Sequence, residues 1–175
     1  MPCPKADVIS LSGPGRRTLT TDRLRLTVGT VDAVLQKLRD IVWRYAPGDP
    51  KALTGLEERI AAAGRRRDLI TYSDLVRGVT FDLPSLRKPR VIDVAYWQEL
   101  DRWIVADFLG YISLRSYERS GFFSSALVVN KLDAPGDGFY SLLREVGLIP
   151  NARSAKALDI WAEHVAKAHA WYARN

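Results

Sequence analysis

The sequence predicts a mainly α-helical protein with a small β element, the α+β class. Two observations carry this prediction. Most of the chain repeats apolar residues every three or four positions, the period that places them on one face of a helix. Only Ala126–Val129 is a short, continuous apolar run rich in β-branched residues, as expected of a buried strand. We therefore expect a helical core with one well-defined strand and one or two weaker ones.

The composition is that of one domain preceded by a flexible arm. The 175 residues are 47% hydrophobic and 26% charged, which supplies enough apolar material for a sizeable core. Proline and glycine punctuate residues 1–17, which end in Arg16-Arg17, so we predict a flexible basic arm there. Residues 18–175 are predicted to form a single globular domain, entered by a short extended segment over 18–28.

Two amphipathic helices are predicted first, as an N-terminal pair. Thr30 has the side chain of a helix N-cap, and the run from Pro47 to Pro50 ends the first helix. Its apolar face is expected to comprise Val31, Val34, Leu35, Leu38, Ile41, Val42 and Tyr45. The second helix is predicted over Leu53–Ala63, with Gly64 as its stop.

A basic triplet and a helix start follow. Arg65-Arg66-Arg67 comes at the C-terminal end of the second helix, where the helix dipole favours cations. Thr71 and Asp74 then have the spacing of a helix start, because the Thr71 hydroxyl can accept a backbone N–H while Asp74 lies at the positive helix end. A short third helix is predicted over Ser73–Arg77, closing at Gly78.

A basic loop and a long helix occupy the middle of the chain. Residues 81–90 contain two prolines and are predicted to form an irregular loop. A long helix is predicted over Asp93–Glu118. Gly110 in its middle costs about 1 kcal/mol relative to alanine, so it marks either a close crossing or a break. Gly121 ends this helix, and the buried strand follows within 122–130.

Two more helices complete the prediction. Asp133–Gly138 is a turn-rich loop, and Phe139–Val146 is predicted to be a helix with Gly147 at its C-cap. The long C-terminal helix opens at Asn151 or Ser154. Its buried stripe is expected to comprise Leu158, Trp161, Val165, Ala168 and Tyr172. Helices combined with a small β element are typical of winged-helix domains, so we predict a winged-helix-like centre.

The charge of the chain favours a polyanionic partner. Lysine and arginine number 26 against 20 acidic residues, giving a formal net charge of +6, which indicates nucleic acid first and an acidic membrane surface second. Codon bias also produces arginine-rich chains, and both explanations stay open. No apolar run approaches the roughly 20 residues of a membrane span, and no signal-peptide core is present. Cys3 is the only cysteine, so we expect a cytoplasmic protein without disulfides.

The sequence contains no recognisable catalytic, metal or cofactor site. His164 and His169 are five residues apart, which places them about 140° apart on a helix and favours structural or exposed roles over metal binding. Ser124-Ser125 lacks the elbow of a nucleophilic serine and a base placed beside it. Asp133 and Asp137 lack the ligand repeat of a calcium loop, which favours a turn-forming role.

Three segments in the middle of the chain resemble one family. Leu69–Val76 is similar to the "ITYGELA" helix start of the winged-helix domain of O6-alkylguanine-DNA alkyltransferases and alkyltransferase-like proteins. Ser125–Lys131 occupies a similar place to the family's "PCHRVV" segment. Gly136–Gly147 resembles the glycine turn and helix that follow it. The order and rough spacing agree over residues 65–148.

The resemblance implies a DNA-binding scaffold without transferase chemistry. The reactive cysteine of the family and its neighbouring histidine are replaced around Ser125 and Ala126, and Cys3 is the only thiol in the chain. The family's recognition helix and arginine finger have no clean match, because residues 81–90 are predicted to form a loop. By the resemblance, Tyr72 matches the family tyrosine that assists nucleotide flipping.

We therefore expect a non-catalytic DNA-binding protein that contacts the phosphate backbone, with salt-dependent binding and little sequence preference. The residues predicted to bind nucleic acid are Arg65, Arg66, Arg67, Tyr72, Arg87, Lys88 and Arg90. Two alternatives stay open. One is a protein–protein interaction or regulatory module with an apolar patch around Trp171-Tyr172. The other is an enzyme whose pocket is lined by Ser124-Ser125 and the loop at 133–138.

Overall fold

A computed structural model describes residues 31–150 and 155–175 of the chain. These residues are mainly helical and contain two small sheets, which confirms the mainly α class with a small β element. The predicted arm over 1–17, the extended segment over 18–28, the Thr30 cap and the opening of the last helix lie outside the described residues. No helix in the described part of the chain is long and apolar enough to cross a membrane.

Six helices and four two-residue strands make up the described fold. The helices are α1 (residues 31–40), α2 (Pro50–Arg66), α3 (Tyr72–Val76), α4 (Glu99–Ser120), α5 (Asp137–Glu145) and α6 (Ala155–Tyr172). The strands are β1 (Ile70–Thr71), β2 (Thr80–Phe81), β3 (Arg90–Val91) and β4 (Val128–Val129). β1 pairs with β4 in parallel, whereas β2 and β3 pair antiparallel as a hairpin. Residues 81–90, predicted to be an irregular loop, thus begin and end in paired strands.

The first helix is shorter than the sequence predicts. α1 ends at residue 40, so its predicted extension to Tyr45 was wrong. The backbone N–H groups of Arg44, Tyr45 and Ala46 instead donate to the carboxylate of Asp107 on α4, at 2.8, 2.9 and 2.9 Å. A helix cannot continue through amides that are bound to a distant side chain, because each must reach the carbonyl four residues earlier.

Asp49 joins the start of α2 to the β2–β3 hairpin. One of its carboxylate oxygens accepts the amide of Ala52 at 3.0 Å and caps the helix. The other accepts the amide of Asp82 at 2.7 Å. Because both bonds are made by one buried side chain, the hairpin is held at the N-terminal end of α2. The helix therefore begins at Pro50, three residues before the predicted start.

The sequence predicts that Gly64 ends α2, but in the structure Gly64 lies inside the helix. The helix continues to Arg66, and its C-cap is Arg67, which takes the left-handed conformation at φ 57°. Gly64 faces the ring of Tyr172 on α6, and a β-carbon at this position would collide with that ring. Glycine is needed here for the close approach of α2 and α6 and not as a helix stop.

The predicted start of α3 is confirmed. The hydroxyl of Thr71 accepts the amide of Asp74 at 3.1 Å, as its spacing predicts. At the other end of the helix, Arg59 of α2 donates from Nη1 to the carbonyls of Asp74, Leu75 and Arg77 at 3.1, 2.8 and 2.7 Å. These bonds satisfy carbonyls that a five-residue helix leaves unpaired, and they fix α3 against α2.

α4 begins at Glu99, six residues after the predicted start. Asp93 initiates a turn instead of a helix, because its carboxylate accepts the amide of Ala95 at 2.9 Å and its carbonyl accepts that of Tyr96 at 3.0 Å. Within α4, Gly110 marks a close crossing and not a break. The ring of Trp43 lies against it, in space that a β-carbon would need.

The predicted strand over 122–130 contains a 3₁₀ turn at Ser124–Leu127, and only β4 pairs with another strand. The segment is buried throughout, as the sequence predicts, but side chains take its amides. Phe123 donates its N–H to His164 Nδ1 at 3.1 Å, and Ser124 donates to Ser116 Oγ at 3.0 Å. These long-range bonds replace a sheet ladder.

The last two helices lie close to their predicted positions. α5 buries Phe139, and Gly147 follows the helix with φ 78°. The buried stripe of α6 is shifted from the predicted one, since its buried residues are Ala157, His164 and Ala168 while Leu158 is exposed. α4 joins the two parts of the core, because its residues pack both with α2 and the hairpin and with α1 and α5.

Candidate nucleic-acid interface

The structure divides the predicted basic residues between the two ends of α2. Arg65, Arg66 and Arg67 are exposed at its C-terminal end, and we call them the arginine corner. Arg87 and Lys88 are exposed in the loop of the hairpin, which Asp49 holds at the opposite end, and we call them the hairpin tip. A helix of 17 residues is about 25 Å long. The two clusters are therefore separate surfaces.

The arginine corner presents its charge to solvent. Arg66 Nε lies 3.2 Å from Asp68 Oδ2, and both side chains are more than half exposed, so this pair contributes little to stability. Arg67 extends from a left-handed C-cap. His169 of α6 places its Nε2 3.1 Å from the carbonyl oxygen of Asp68, so the end of α6 lies beside the corner. The guanidinium groups are thus free to contact an external anion.

Arg90, in contrast, is engaged inside the fold. Its guanidinium group forms a two-pronged pair with the buried carboxylate of Asp101, through Nε and, at 3.0 Å, through Nη2. Nη2 also donates to Gln98 Oε1 at 3.1 Å. The hydrogen bond from Arg90 holds the pKa of Asp101 below its usual range. The pair attaches β3 to the start of α4, and its positive charge is largely compensated.

Tyr72 is packed between neighbouring elements. Its ring centroid lies 5.7 Å from that of Trp97, with the planes inclined by 59°. The hydroxyl end of the ring lies against Gly136, where a β-carbon would collide with the phenol. Burial raises the pKa of Tyr72 to about 12, and the carboxylate of Asp137 adds to the rise. The hydroxyl therefore stays protonated, and the ring is held within the fold.

A cleft beside the arginine corner brings together basic residues that the sequence does not connect. The cleft has a volume of about 220 Å³ and lies between α2, α4 and α6. Arg65 lines it together with Arg115 and Arg119 from the last turns of α4, and we call it the arginine cleft. The spacing of four between Arg115 and Arg119 is a signal that they share a helix face. Nothing in the sequence places that face beside Arg65.

The ion pairs of the arginine cleft leave part of its positive charge uncompensated. Arg115 Nε lies 3.3 Å from Glu57 Oε1. The guanidinium carbon of Arg119 lies 5.8 Å from the ring centroid of Trp171, a cation–π contact. Among residues 31–150 and 155–175, no carboxylate pairs with Arg65 or Arg119. Glu58 also lines the cleft and is exposed.

Two hydroxyl groups lie in the wall of the cleft. Ser124 Oγ and Tyr172 Oη are 3.0 Å apart and share a hydrogen bond. Burial raises the pKa of the Tyr172 hydroxyl, while the hydrogen bond to Ser124 and the charges of Arg119 and Arg65 oppose the rise. Both hydroxyls are neutral at pH 7, and the one that accepts their shared hydrogen bond keeps its own hydrogen for donation to an anion.

The arginine cleft contains only part of the predicted enzyme pocket. Ser124 lines the arginine cleft, but the Ser125 hydroxyl is buried and accepts a hydrogen bond from Ser113 Oγ at 2.6 Å. The loop at 133–138 contributes no residue to the cleft. The described part of the chain contains no group of three or more side chains placed to hold a metal ion. The predicted apolar patch around Trp171-Tyr172 is half-buried against Phe122.

Comparison of the chain with family models, curated proteins and solved structures finds no match. The resemblance over residues 65–148 therefore stays a prediction. What the protein does is inferred from its own side chains.

Proposed function

We propose that this chain is a non-catalytic DNA-binding protein that contacts the phosphate backbone. One observation carries the proposal: the arginine corner and the hairpin tip hold exposed cations at the two ends of one helix, about 25 Å apart. Contacts at both ends would span about seven base pairs of a duplex, at about 3.4 Å per step. Exposed guanidinium groups suit this role, because they fork onto phosphate oxygens.

The β2–β3 hairpin is the wing of the proposed winged-helix-like centre, with Arg87 and Lys88 at its tip. In the proposal, Arg90 and Tyr72 do not contact DNA but hold the elements that carry the basic clusters. Arg90 anchors β3 to α4, and Tyr72 packs the start of α3. Tyr72 thus takes a positioning role in place of the nucleotide-flipping role that the resemblance implies. We also propose a cytoplasmic location, as expected of a chain whose only cysteine is Cys3.

Removing the arginine corner is expected to weaken DNA binding and its dependence on salt. In the test variant, Arg65→Ala, Arg66→Ala and Arg67→Gly are combined, because glycine suits the φ of 57° at the last position. Fluorescence anisotropy with a labelled duplex bearing 5′-hydroxyl ends gives the affinity at several salt concentrations. The slope of log affinity against log salt should fall by roughly one unit for each phosphate that the variant no longer neutralises.

A charge-matched control separates local binding from overall charge. The double variant Arg87→Gln/Lys88→Gln should weaken binding in the same way, whereas Lys131→Gln/Arg144→Gln removes two exposed cations elsewhere and should change affinity much less. Equal reductions in both double variants would show that only net charge matters. An unchanged affinity in the arginine-corner variant would remove that cluster from the site.

Protein–protein docking is a second candidate, favoured by one exposed apolar group. Val91 in β3, Tyr96 in the following loop and Trp103 near the start of α4 are 64%, 84% and 61% exposed. These side chains differ from the Trp171-Tyr172 pair that the sequence predicts for such a surface. An absence of DNA binding even at low salt would favour this candidate. A Tyr96→Ser/Trp103→Ser variant would then be expected to lose partners that the unaltered chain captures.

A further inference from the structure

The side chains that line the arginine cleft carry a net charge of +1, because its three arginines outnumber its two glutamates by one. Three guanidinium groups, those of Arg65, Arg115 and Arg119, line it. Arg115 is paired with Glu57, which leaves Arg65 and Arg119 as two cations without a carboxylate partner in the described part of the chain. We infer that the arginine cleft binds a phosphomonoester dianion, with Arg65 and Arg119 as its charged ligands.

Ion pairing alone does not explain why three guanidinium groups cluster in the cleft. Arg115 and Arg119 are four residues apart on α4, where like charges repel, and Arg65 brings a third positive charge to the same cleft. The partly buried ion pair of Arg115 with Glu57 offsets only part of this repulsion. Clustered guanidinium groups are instead the usual means of recognising phosphate, since each can present two N–H donors to its oxygens.

The shape of the cleft favours a monoester over a diester. The cleft is open to solvent and is lined on its inner side by Ile112, Ser116 and Ser124, which are buried, so a ligand enters from the solvent side. A backbone phosphodiester carries one negative charge and has a chain leaving from each of two ester oxygens. A phosphomonoester has one ester oxygen and three terminal oxygens, so it can enter end-on with the substituent directed outwards. Its second ionisation has a pKa of about 6, so it is a dianion at pH 8.

The hydroxyl pair supplies a further donor. Ser124 Oγ and Tyr172 Oη share one hydrogen bond at 3.0 Å, which uses one of their two hydroxyl hydrogens. The other hydrogen can be donated to a terminal phosphate oxygen. Glu58 opposes binding, because its carboxylate lines the same cleft. We therefore expect opposite effects on the affinity for a phosphomonoester: removing a guanidinium group weakens binding, and neutralising Glu58 strengthens it.

Calorimetric titration of the full chain at pH 8 and low ionic strength tests the inference. The probes are methyl phosphate, a monoester, and dimethyl phosphate, a diester, with succinate as a dicarboxylate of the same charge. Methyl phosphate should bind about tenfold or more tightly than either. Arg119→Gln should weaken methyl phosphate binding by about tenfold or more, as expected for removal of a charged hydrogen-bonding partner. Glu58→Gln should tighten it several-fold.

Two control variants keep the result specific to the cleft. Arg144→Gln removes an exposed guanidinium group on α5, outside the cleft and outside the arginine corner, and should leave methyl phosphate binding within about twofold. Tyr172→Phe keeps the ring that packs on Gly64 and removes only the hydroxyl, so binding should weaken a few-fold. Equal weakening in Arg144→Gln and Arg119→Gln would overturn the inference, as would equal binding of methyl phosphate and succinate.

Two further probes identify the source of the phosphate group. A nucleoside 5′-monophosphate represents a free ligand, and a pair of single-stranded oligonucleotides with 5′-phosphate or 5′-hydroxyl represents a strand end. A preference for the phosphorylated strand that Arg119→Gln abolishes supports a strand end, whereas binding of the mononucleotide without that preference supports a free ligand. If none of the phosphomonoesters binds, the inference fails. The proposed backbone contacts are tested separately, because the 5′-hydroxyl duplex carries no phosphomonoester.

Discussion

Replacing Asp107 with alanine is expected to lower the free energy of unfolding by about 3 kcal/mol. The Asp107 carboxylate accepts three consecutive amides, those of Arg44, Tyr45 and Ala46, at 2.8 to 2.9 Å. Ala46 is buried, so the substitution leaves at least one amide without a partner and without water. Urea denaturation followed by far-UV circular dichroism measures the change.

Two variants make the Asp107 prediction specific. Asp107→Asn keeps one carbonyl oxygen and the shape of the side chain, so it should cost less than Asp107→Ala. Asp40→Ala removes an exposed carboxylate at the end of α1, which accepts a hydrogen bond from Gln36 on the same helix, and should change stability by less than about 0.5 kcal/mol. If Asp107→Ala were no more destabilising than Asp40→Ala, the three amides would not depend on this carboxylate.

Acidification is expected to destabilise the fold through His164. This side chain is buried and stacked on Phe123 with ring centroids 4.4 Å apart, and its Nδ1 accepts the Phe123 amide. Burial lowers the pKa of His164 from 6.5 to about 4; Lys167 lowers it further, and Glu163 opposes the shift. The unfolded chain therefore binds more protons between these values. The contribution of neutral His164 to the free energy of unfolding is complete above pH 6.5. It decreases as pH falls towards 4, by on the order of 3 kcal/mol in total.

The His164→Asn variant isolates this effect from the titration of carboxylates. Asparagine offers Oδ1 as an acceptor for the Phe123 amide but does not titrate, so the variant should lose less stability than the unaltered chain between pH 6.5 and 4. Its stability at pH 7 should be lower, because asparagine has no ring to pack on Phe123 and Tyr117. Urea midpoints measured across this pH range give the difference. Parallel pH profiles for the two proteins would show that His164 is not the titrating group.

Sequence reasoning succeeded where the determining interactions are local. The start of α3 depends on Thr71 and the amide three residues later, so its spacing was sufficient to predict it. The glycine after α5 is likewise set by local conformation, with φ 78° at Gly147. Sequence reasoning failed where side chains from distant elements accept hydrogen bonds from the backbone amides. Asp107 ends the predicted first helix from about 60 residues away, and Ser116 and His164 replace the predicted sheet ladder.

The same distinction applies to the candidate sites. The arginine corner and the hairpin tip were predicted from runs of basic residues. Their side chains are exposed, as expected for consecutive charged residues. Arg90 belongs to the second run, yet it is paired with Asp101, which the charge pattern alone does not show. The arginine cleft was missed altogether. Its guanidinium groups come from positions about 50 residues apart, and only the packing of α2 against α4 brings them together.

The packing of Tyr172 on Gly64 has a consequence for the nascent chain. One side of the arginine cleft is built from the last turn of α6, whereas Arg65, Arg115 and Arg119 are translated earlier. A ribosome-bound chain whose α6 is still in the exit tunnel therefore carries all three arginines without an enclosed site. Anion binding at the cleft would report that α6 has left the tunnel and docked against α2.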